Sequence, residues 1–342
     1  MRKHIIVLII ILSAIPLIIK KSDYRDVTNV INVNSIGFNF NIETREYEIY
    51  FYVINNFNIT NSKIASSNLN NLSYLIKVSD KEFYTTYNNL FNKVNEYISF
   101  NHLRTVILSI NFINKDNLTL FYNLIKNNTK FYYNFFVFTT ASSLDEIYNI
   151  KNFSDVSAYH TILTTPNLIF SYNLVTYNKF INIILNDNYS ILLPNIKLNK
   201  DTINSDSENL YALEINGYSY FTKNNYVDTF LTNDNSFYKW IMNLNNQNIK
   251  IDEYNIYIKS YKNKFKFKDN KLTITIKISA ILISELNDKE LIEIENLLNN
   301  IIRNDIKILF DSTFYNNIDI YNIKYLYPSC NNVDFIIKLN LN

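Results

Sequence analysis

Histidines and clustered carboxylates are the side chains in this sequence best suited to catalysis or metal binding. Of the 3 histidines, His102 and His160 lie far from the N-terminus, and either would need carboxylates close in space to build a zinc site or a catalytic triad. Pairs of carboxylates can also perform acid–base catalysis. Five acidic residues are clustered near the start of the chain, namely Asp23, Asp26, Glu43, Glu46 and Glu48.

Structural roles explain the same histidines and acids. No fixed motif places two of the acids on one face of an element, so a solvated surface rim is the expected alternative. A lone histidine is more often structural than catalytic. We therefore predict no catalytic residue, no metal site and no cofactor, and expect that the protein is not an enzyme. An exported hydrolase that uses the acidic cluster with His102 is kept as an alternative.

The composition of the 342-residue chain excludes several other classes of protein. Hydrophobic residues make up 47% of the chain, which is enough to bury a sizeable core. Only 2 glycines are present, which excludes the glycine-rich phosphate loops and the G-x-S-x-G nucleophile elbow. One cysteine, Cys330, excludes a disulfide scaffold and a cysteine-based zinc site. A net charge of +2 makes no electrostatic case for a nucleic-acid partner.

The N-terminus has the proportions of an export segment. A basic start, residues 1–4, is followed by an apolar run over residues 5–19 and then by Lys20 and Lys21. This run is shorter than the roughly 20 residues of a membrane-spanning helix, and a buried core helix is the alternative. No A-x-A cleavage site follows it. We therefore expect an exported chain that can retain residues 1–21 as a membrane anchor.

Alternating strand and helix patterns follow the export segment. Apolar periodicity predicts a helix over residues 79–99 and another over 117–126. Strands are predicted at residues 46–54, 103–110 and 132–138, and the second of these is expected to be buried on both faces. A mostly polar stretch at residues 195–209 reads as a linker or a long surface loop.

The second half of the chain has antiparallel patterns and one long helix. Residues 210–221 and 226–231 read as a hairpin, and residues 264–278 as a second hairpin with one apolar and one polar face. Asn287 and Glu290 form a capping-box pattern before a helix, and residues 333–341 alternate as a closing strand. The lysines of residues 259–277 suit either anionic lipid headgroups or a solvated sheet with protective edge lysines.

These patterns predict an α+β (mixed α/β) fold of more than one domain. We expect a signal or anchor segment over residues 1–21, an N-terminal α/β domain over 22–195 and a C-terminal α+β region over 196–342. A further division near residue 245 is the alternative.

In this order, the segments resemble the Ger(x)C family of spore germination proteins, the C subunits of nutrient germinant receptors. The resemblance rests on a short charged stretch after the export segment, a glycine in the first hairpin, a Phe-x-His-Leu-Arg sequence before a buried strand, and a glycine in a later strand. The matching residues are Asp23, Arg25, Asp26, Gly37, His102, Leu103, Arg104 and Gly217.

The resemblance implies a non-enzymatic subunit on the outer face of the spore inner membrane. Its implied partners are the membrane surface and the integral-membrane A- and B-type subunits, and its implied role is receptor assembly or signal coupling. One departure bears on anchoring, because Lys20 and Lys21 precede Ser22 where the family has a lipidated cysteine. The usual lipid attachment is therefore not expected. An exported surface protein or adhesin of unrelated role is the alternative.

Overall fold

Two β-sheets, each with its own apolar core, form the framework of the protein. The computed structural model describes residues 30–55, 73–128, 130–150, 174–186, 189–204, 209–222, 226–231, 240, 244–283, 288–316 and 318–341. Residues 1–21 and Asn287, the predicted capping residue, lie outside them. The arrangement is a mixed α+β fold, as predicted. Within the described residues, no helix combines the length and the apolar character needed to cross a membrane.

Nine strands of the described chain form the larger sheet, in the spatial order β3-β2-β1-β5-β6-β7-β8-β9, with the short β4 also paired to β1. The hairpin of β1 and β2 is antiparallel, and β4, β5 and β6 run parallel to β1 or to each other. The strand bounds are β1 Val30–Asn41, β2 Glu46–Asn55, β3 Ser73–Asp80, β4 Tyr97–Ser99, β5 Thr105–Ser109, β6 Phe136–Thr140, β7 Ser190–Asn204, β8 Asn209–Thr222 and β9 Tyr226–Leu231.

Helices cover both faces of this sheet. α1 (Phe83–Lys93) and α2 (Lys115–Asn127) pack on one face, where phenylalanines such as Phe38 and Phe121 are fully buried. α3 (Leu144–Tyr148) packs on the opposite face, and two short helices follow, α4 (Tyr177–Phe180) and α5 (Asn182–Leu185). Every residue of β5 is buried, as predicted, because β5 lies between two strands and under both helical layers.

Two predictions in this half are wrong at their boundaries. The helix predicted at residues 79–99 is only α1, and β3 and β4 occupy the two ends of that stretch. Ile98 matches the helical spacing but pairs with Ile31 as part of a strand, because sheet pairing outweighs local periodicity. The strand predicted at residues 132–138 begins only at Phe136, and Tyr132 and Tyr133 are exposed.

The linker predicted at residues 195–209 is also wrong. β7 continues to Asn204 and pairs antiparallel with β8 from Ser190↔Thr222 to Asn204↔Asn209, with register shifts after Pro194 and after Asn199. Strand pairing joins backbone groups, so polar side chains do not prevent it. The predicted hairpin of residues 210–221 and 226–231 is confirmed as β8 and β9.

The smaller sheet has the order β10-β11-β12-β13 within the described chain. Its strands are β10 Gln247–Ile251, β11 Tyr254–Lys268, β12 Lys271–Leu282 and β13 Asn332–Leu341. The predicted hairpin is β11 and β12, and its turn residues Asp269 and Asn270 have φ of 51° and 59°, the left-handed values of a tight hairpin turn. The predicted closing strand is β13, which runs parallel to β12.

The long helix α6 (Asp288–Ser312) covers the apolar face of the smaller sheet. Its buried residues follow helical spacing along one stripe, namely Leu298, Ile302, Ile306, Leu309 and Phe310. Cys330 is buried and packs as a small apolar residue in this core. The turn before the four-residue helix α7 (Ile323–Leu326) then connects this core to the larger sheet.

Asp319 is at the centre of that connection. Its carboxylate accepts hydrogen bonds from the backbone N–H groups of Ile323 (2.8 Å) and Lys324 (2.6 Å). Its own N–H donates to the hydroxyl of Tyr220 in β8 (2.9 Å), and its carbonyl accepts from the hydroxyl of Ser190 in β7. Burial raises the pKa of Asp319, although the backbone donors partly offset this effect.

Candidate functional site

The Phe-x-His-Leu-Arg sequence forms a short loop between β4 and β5, two strands that pair with successive parts of β1. Phe100 and Leu103 are buried, at 1% and 5% exposure, and the N–H of Leu103 donates to the carbonyl of Phe100 (3.1 Å). The backbone of Arg104 joins both neighbours: its N–H donates to Asn34 in β1 (2.9 Å), and its carbonyl accepts from Phe136 (2.8 Å). The loop is therefore held rigidly.

His102 and Arg104 are exposed on this rigid loop. The apolar members of the sequence account for its place in the core, and the backbone bonds account for its conformation. The exposed side chains of His102 and Arg104 contribute neither to the packing of the core nor to these backbone hydrogen bonds. They are therefore available for contact with another molecule, which is how rigid loops commonly carry function.

Gly37 is the glycine of the first hairpin, and it lies beneath Tyr148 of α3. A Cβ at Gly37 would lie 2.7 Å from Tyr148 Cε2 and 3.0 Å from Leu144 Cδ1. The absence of a side chain lets α3 approach β1 closely. Tyr148 then stacks on Tyr50, with ring centroids 5.9 Å apart, and shares a 2.9 Å hydrogen bond with Ser35.

Next to Tyr148, a charged cluster occupies the same face of the sheet. Lys77 Nζ lies 3.1 Å from Glu48 and 3.0 Å from Asp145, and 4.9 Å from the ring centre of Tyr50. The Tyr50 hydroxyl donates to Asp145 (2.8 Å) and lies 3.1 Å from Glu48, which also accepts from Asn39 (2.8 Å). We call Glu48, Tyr50, Lys77 and Asp145 the acid–lysine cluster.

Mutual pairing sets the ionisation of the acid–lysine cluster. Burial alone would raise the pKa of Glu48, but hydrogen bonds from Asn39 and Lys77 outweigh it and lower that pKa. Burial alone would lower the pKa of Lys77, but its bonds to Asp145 and Glu48 raise it. Burial first, and then the two carboxylates, hold the pKa of Tyr50 far above its usual value. At neutral pH, Glu48 and Lys77 are therefore charged and Tyr50 is neutral. The cluster has a structural role, because its ion pairs and hydrogen bonds join β2, β3 and α3.

His102 does not join these carboxylates. Glu48 pairs with Asn39 of β1, whereas the His102 loop bonds to Asn34, five residues earlier on the same strand. At about 3.3 Å per residue, the two points of attachment on β1, Asn34 and Asn39, are about 16 Å apart along the strand. Glu43 lies at the exposed hairpin tip. In the part of the chain that the structure describes, no group of three or more His, Cys, Asp or Glu residues is arranged to hold a metal.

Gly217 lies in β8, where φ is 130°, a conformation that favours glycine. Two residues on, the buried Ser219 shares a 2.8 Å hydrogen bond with Thr139 of β6. Asn195 of β7 donates to both hydroxyls, at 3.2 and 3.3 Å. This polar network reinforces the joint between β6 and β7, where a single backbone pair, Thr139↔Asn195, connects the strands.

The sequence analysis did not predict the roles of Lys77, Tyr50 and Asp145. No local sequence pattern could have predicted them, because Asp145 lies 68 residues from Lys77 in the chain. Of the other residues singled out from the sequence, Asp23, Arg25, Asp26 and His160 lie outside the described residues.

Comparison with known proteins identifies the family. The family model for the spore germination protein N-terminal domain matches residues 23–198, just over half of the chain. That range includes the first hairpin with Gly37, the His102 loop and the acid–lysine cluster. The chain belongs to this family of spore germination proteins. The resemblance drawn from the ordered sequence motifs is thereby confirmed.

The germination protein is also similar to a solved structure, the crystal structure of the GerBC protein. The two share 10% sequence identity with a TM-score of 0.49, and the match covers 90% of this chain and 96% of that chain. No curated protein matches the germination protein in sequence.

Proposed function

We propose that this spore germination protein is a non-enzymatic C subunit of a nutrient germinant receptor. It is exported, associates with the outer face of the spore inner membrane, and contributes to receptor assembly or signal coupling. The match of residues 23–198 to the family model carries the proposal. The retained N-terminal segment, residues 1–21, supplies the anchor in place of the lipid that Ser22 cannot accept.

The acid–lysine cluster supports a structural role over a catalytic one. Lys77 is held between Glu48 and Asp145, which neutralise it, and these ion pairs also fix the positions of the three side chains. A catalytic acid or base has its pKa moved toward the working pH. Here, the pKa of Glu48 is lowered and that of Lys77 is raised, both away from neutrality.

We assign the contact with an A- or B-type subunit to the exposed side chains of the loop, His102 and Arg104. Phe100 and Leu103 fix that loop in the core, so little conformational entropy is lost when a partner binds it. Asp23, Arg25 and Asp26 are expected to belong to the same binding function. Gly37 and Gly217 have conformational roles instead.

Co-purification from spores tests this proposal. Tagged wild-type chain is expected to retain A- and B-type subunits, and the double variant His102→Ala/Arg104→Ala is expected to lose most of them. Lys115→Ala/Lys179→Ala is the matched control, because it removes two exposed basic side chains elsewhere. A wild-type chain that never associates with such subunits, in a spore former that has them, would count decisively against the receptor role and favour an unrelated surface protein.

A further inference from the structure

The face of the smaller sheet opposite α6 carries a dense set of lysines. Side chains alternate across a strand, and the positions of β11, β12 and β13 that point away from the core repeatedly hold lysine. We call this surface the basic face. Its lysines are Lys262, Lys264, Lys266, Lys268, Lys271, Lys277 and Lys338, and all of them are exposed.

Positive charge is concentrated on the basic face relative to the rest of the molecule. Seven lysines and one acid, Asp334, share these rows of the sheet, and Asp269 lies in the adjoining turn, so the face with its turn has a net charge of +5. The whole chain has a net charge of +2, and the remainder therefore carries −3. Such separation of charge creates a local field suited to an anionic partner, which an even mixture of signs does not.

Protection of a sheet edge explains only part of this set of lysines. Edge lysines discourage strands from pairing with other molecules, and β13 and the part of β11 beyond its pairing with β10 are such edges. Lys271 and Lys277, however, lie on β12, which has a neighbour on each side. Lys262, Lys277 and Lys338 stand directly opposite one another across three strands. Like charges in this position destabilise a sheet, so the stability of the sheet does not explain this row of lysines.

Acidic neighbours neutralise only one end of the basic face. Among the described residues, its ion pairs are Lys271–Asp334 at 2.5 Å and Lys268–Asp269 at 3.9 Å. Ile336 lies in the row between Asp334 and Lys338 and is 43% exposed. An apolar side chain among lysines allows shallow contact with acyl chains while the ammonium groups meet phosphates.

We propose that the basic face docks onto an anionic phospholipid surface. The basic face spans about 20 Å along β12 from Lys271 to Lys277. A phospholipid surface presents many phosphates over that distance to a flat sheet. All seven cations are lysines, whose flexible stems suit mobile headgroups, rather than arginines that fix a phosphate in two hydrogen bonds. Thr273, Thr275 and Ile336 separate them, instead of the aromatic rings on which nucleic-acid bases stack.

This docking goes beyond the proposed receptor role, because it requires no partner subunit. It orients the C-terminal sheet on the membrane, whereas the N-terminal segment alone would tether the chain without orienting it. Each lysine near a charged bilayer contributes about five-fold to binding, so three lysines together contribute about 100-fold.

Vesicle sedimentation of the purified full-length chain tests the proposal. Vesicles of phosphatidylcholine alone report binding through the N-terminal segment, and vesicles that also contain phosphatidylglycerol report the added electrostatic binding. Lys264→Gln/Lys266→Gln/Lys277→Gln is expected to lower the partition coefficient for the anionic vesicles by about 100-fold. Lys81→Gln/Lys115→Gln/Lys179→Gln removes three exposed lysines elsewhere and is expected to bind as the wild type does.

The added binding is expected to weaken as salt is raised, because exposed charges are screened. Equal binding to both kinds of vesicle, or equal loss in the two triple variants, overturns the proposal. So does a wild-type chain that binds polyglutamate or single-stranded DNA but shows no preference for phosphatidylglycerol, since the face would then recognise an acidic macromolecule. The two proposals can fail separately. A wild-type chain that co-purifies with A- and B-type subunits but shows no preference for anionic vesicles would overturn the docking proposal and leave the receptor role standing.

Discussion

The ring of Tyr148 occupies the space that a side chain on Gly37 would require, since a Cβ there would lie 2.7 Å from Tyr148 Cε2. The tyrosine is buried and also stacks on Tyr52, with ring centroids 6.3 Å apart. Because the hydroxyl of Tyr148 is hydrogen-bonded to Ser35, the ring is held at both ends. This contact seats α3, and with it Asp145, against the sheet.

Gly37→Ala is expected to destabilise the protein by about 1–3 kcal/mol, the usual cost of overpacking a core. The free energy of unfolding in urea measures this effect. In a Tyr148→Ala background, the same substitution is expected to cost much less, because the clashing ring is gone. Equal costs in the two backgrounds would show that the ring is not the obstacle.

The acid–lysine cluster is expected to make stability depend on pH. The pKa of Glu48 is lowered on folding from its ordinary 4.5, so its contribution is present above that value and is lost as pH falls through the folded pKa. Glu48→Gln is therefore expected to be less stable than wild type at pH 7, and the difference is expected to shrink below about pH 4.5. Urea unfolding at a series of pH values measures it.

Glu96→Gln is the matched control for the pH series, because Glu96 is exposed outside the cluster. Its unfolding free energy is expected to follow that of the wild type throughout. A constant difference between Glu48→Gln and wild type from pH 7 to pH 3 would contradict the assigned role of Glu48.

Substitutions in the His102 loop are expected to affect stability only where the side chain is buried. Leu103→Ala deletes a buried side chain and is expected to cost about 2–5 kcal/mol of stability. His102→Ala and Arg104→Ala change exposed side chains and are expected to alter stability by less than about 0.5 kcal/mol. Thermal unfolding measures all three. A large loss for Arg104→Ala would mean that its side chain supports the fold.

The buried carboxylate of Asp319 is expected to hold the turn whose backbone connects the smaller sheet's core to the larger sheet. Asp319→Ala leaves the N–H groups of Ile323 and Lys324 without their acceptor, which is expected to cost about 1–3 kcal/mol. Asp311→Ala, at an exposed position, is the control. Hydrogen exchange at residues 318–327 measures the local effect. Unchanged protection in Asp319→Ala would exclude this anchoring role.

The sequence alone was sufficient to predict a strand or helix where the local pattern of apolar residues agreed with the burial of those residues in the folded protein. The strands at residues 46–54 and 103–110 are rich in apolar residues and are buried on both faces, whereas the helix at 117–126 and the hairpin at 264–278 have an apolar periodicity that marks their buried side. The ordered motifs were also sufficient for the family, and all of them except Gly217 lie within the matched residues 23–198. The sequence likewise showed the lysine alternation of the second hairpin.

Only the tertiary structure decided which distant residues meet. Residues 195–204 are mostly polar but become strand because β8 offers backbone partners, and Ile98 leaves the helical pattern because β1 pairs with it. Lys77 lies between Glu48 and Asp145, which are distant in sequence, so no spacing rule could have found the cluster. The parallel pairing of β13 with β12 likewise brings Lys338 beside Lys277. Local side-chain preferences act over a few residues, whereas these contacts depend on how the strands are ordered in space.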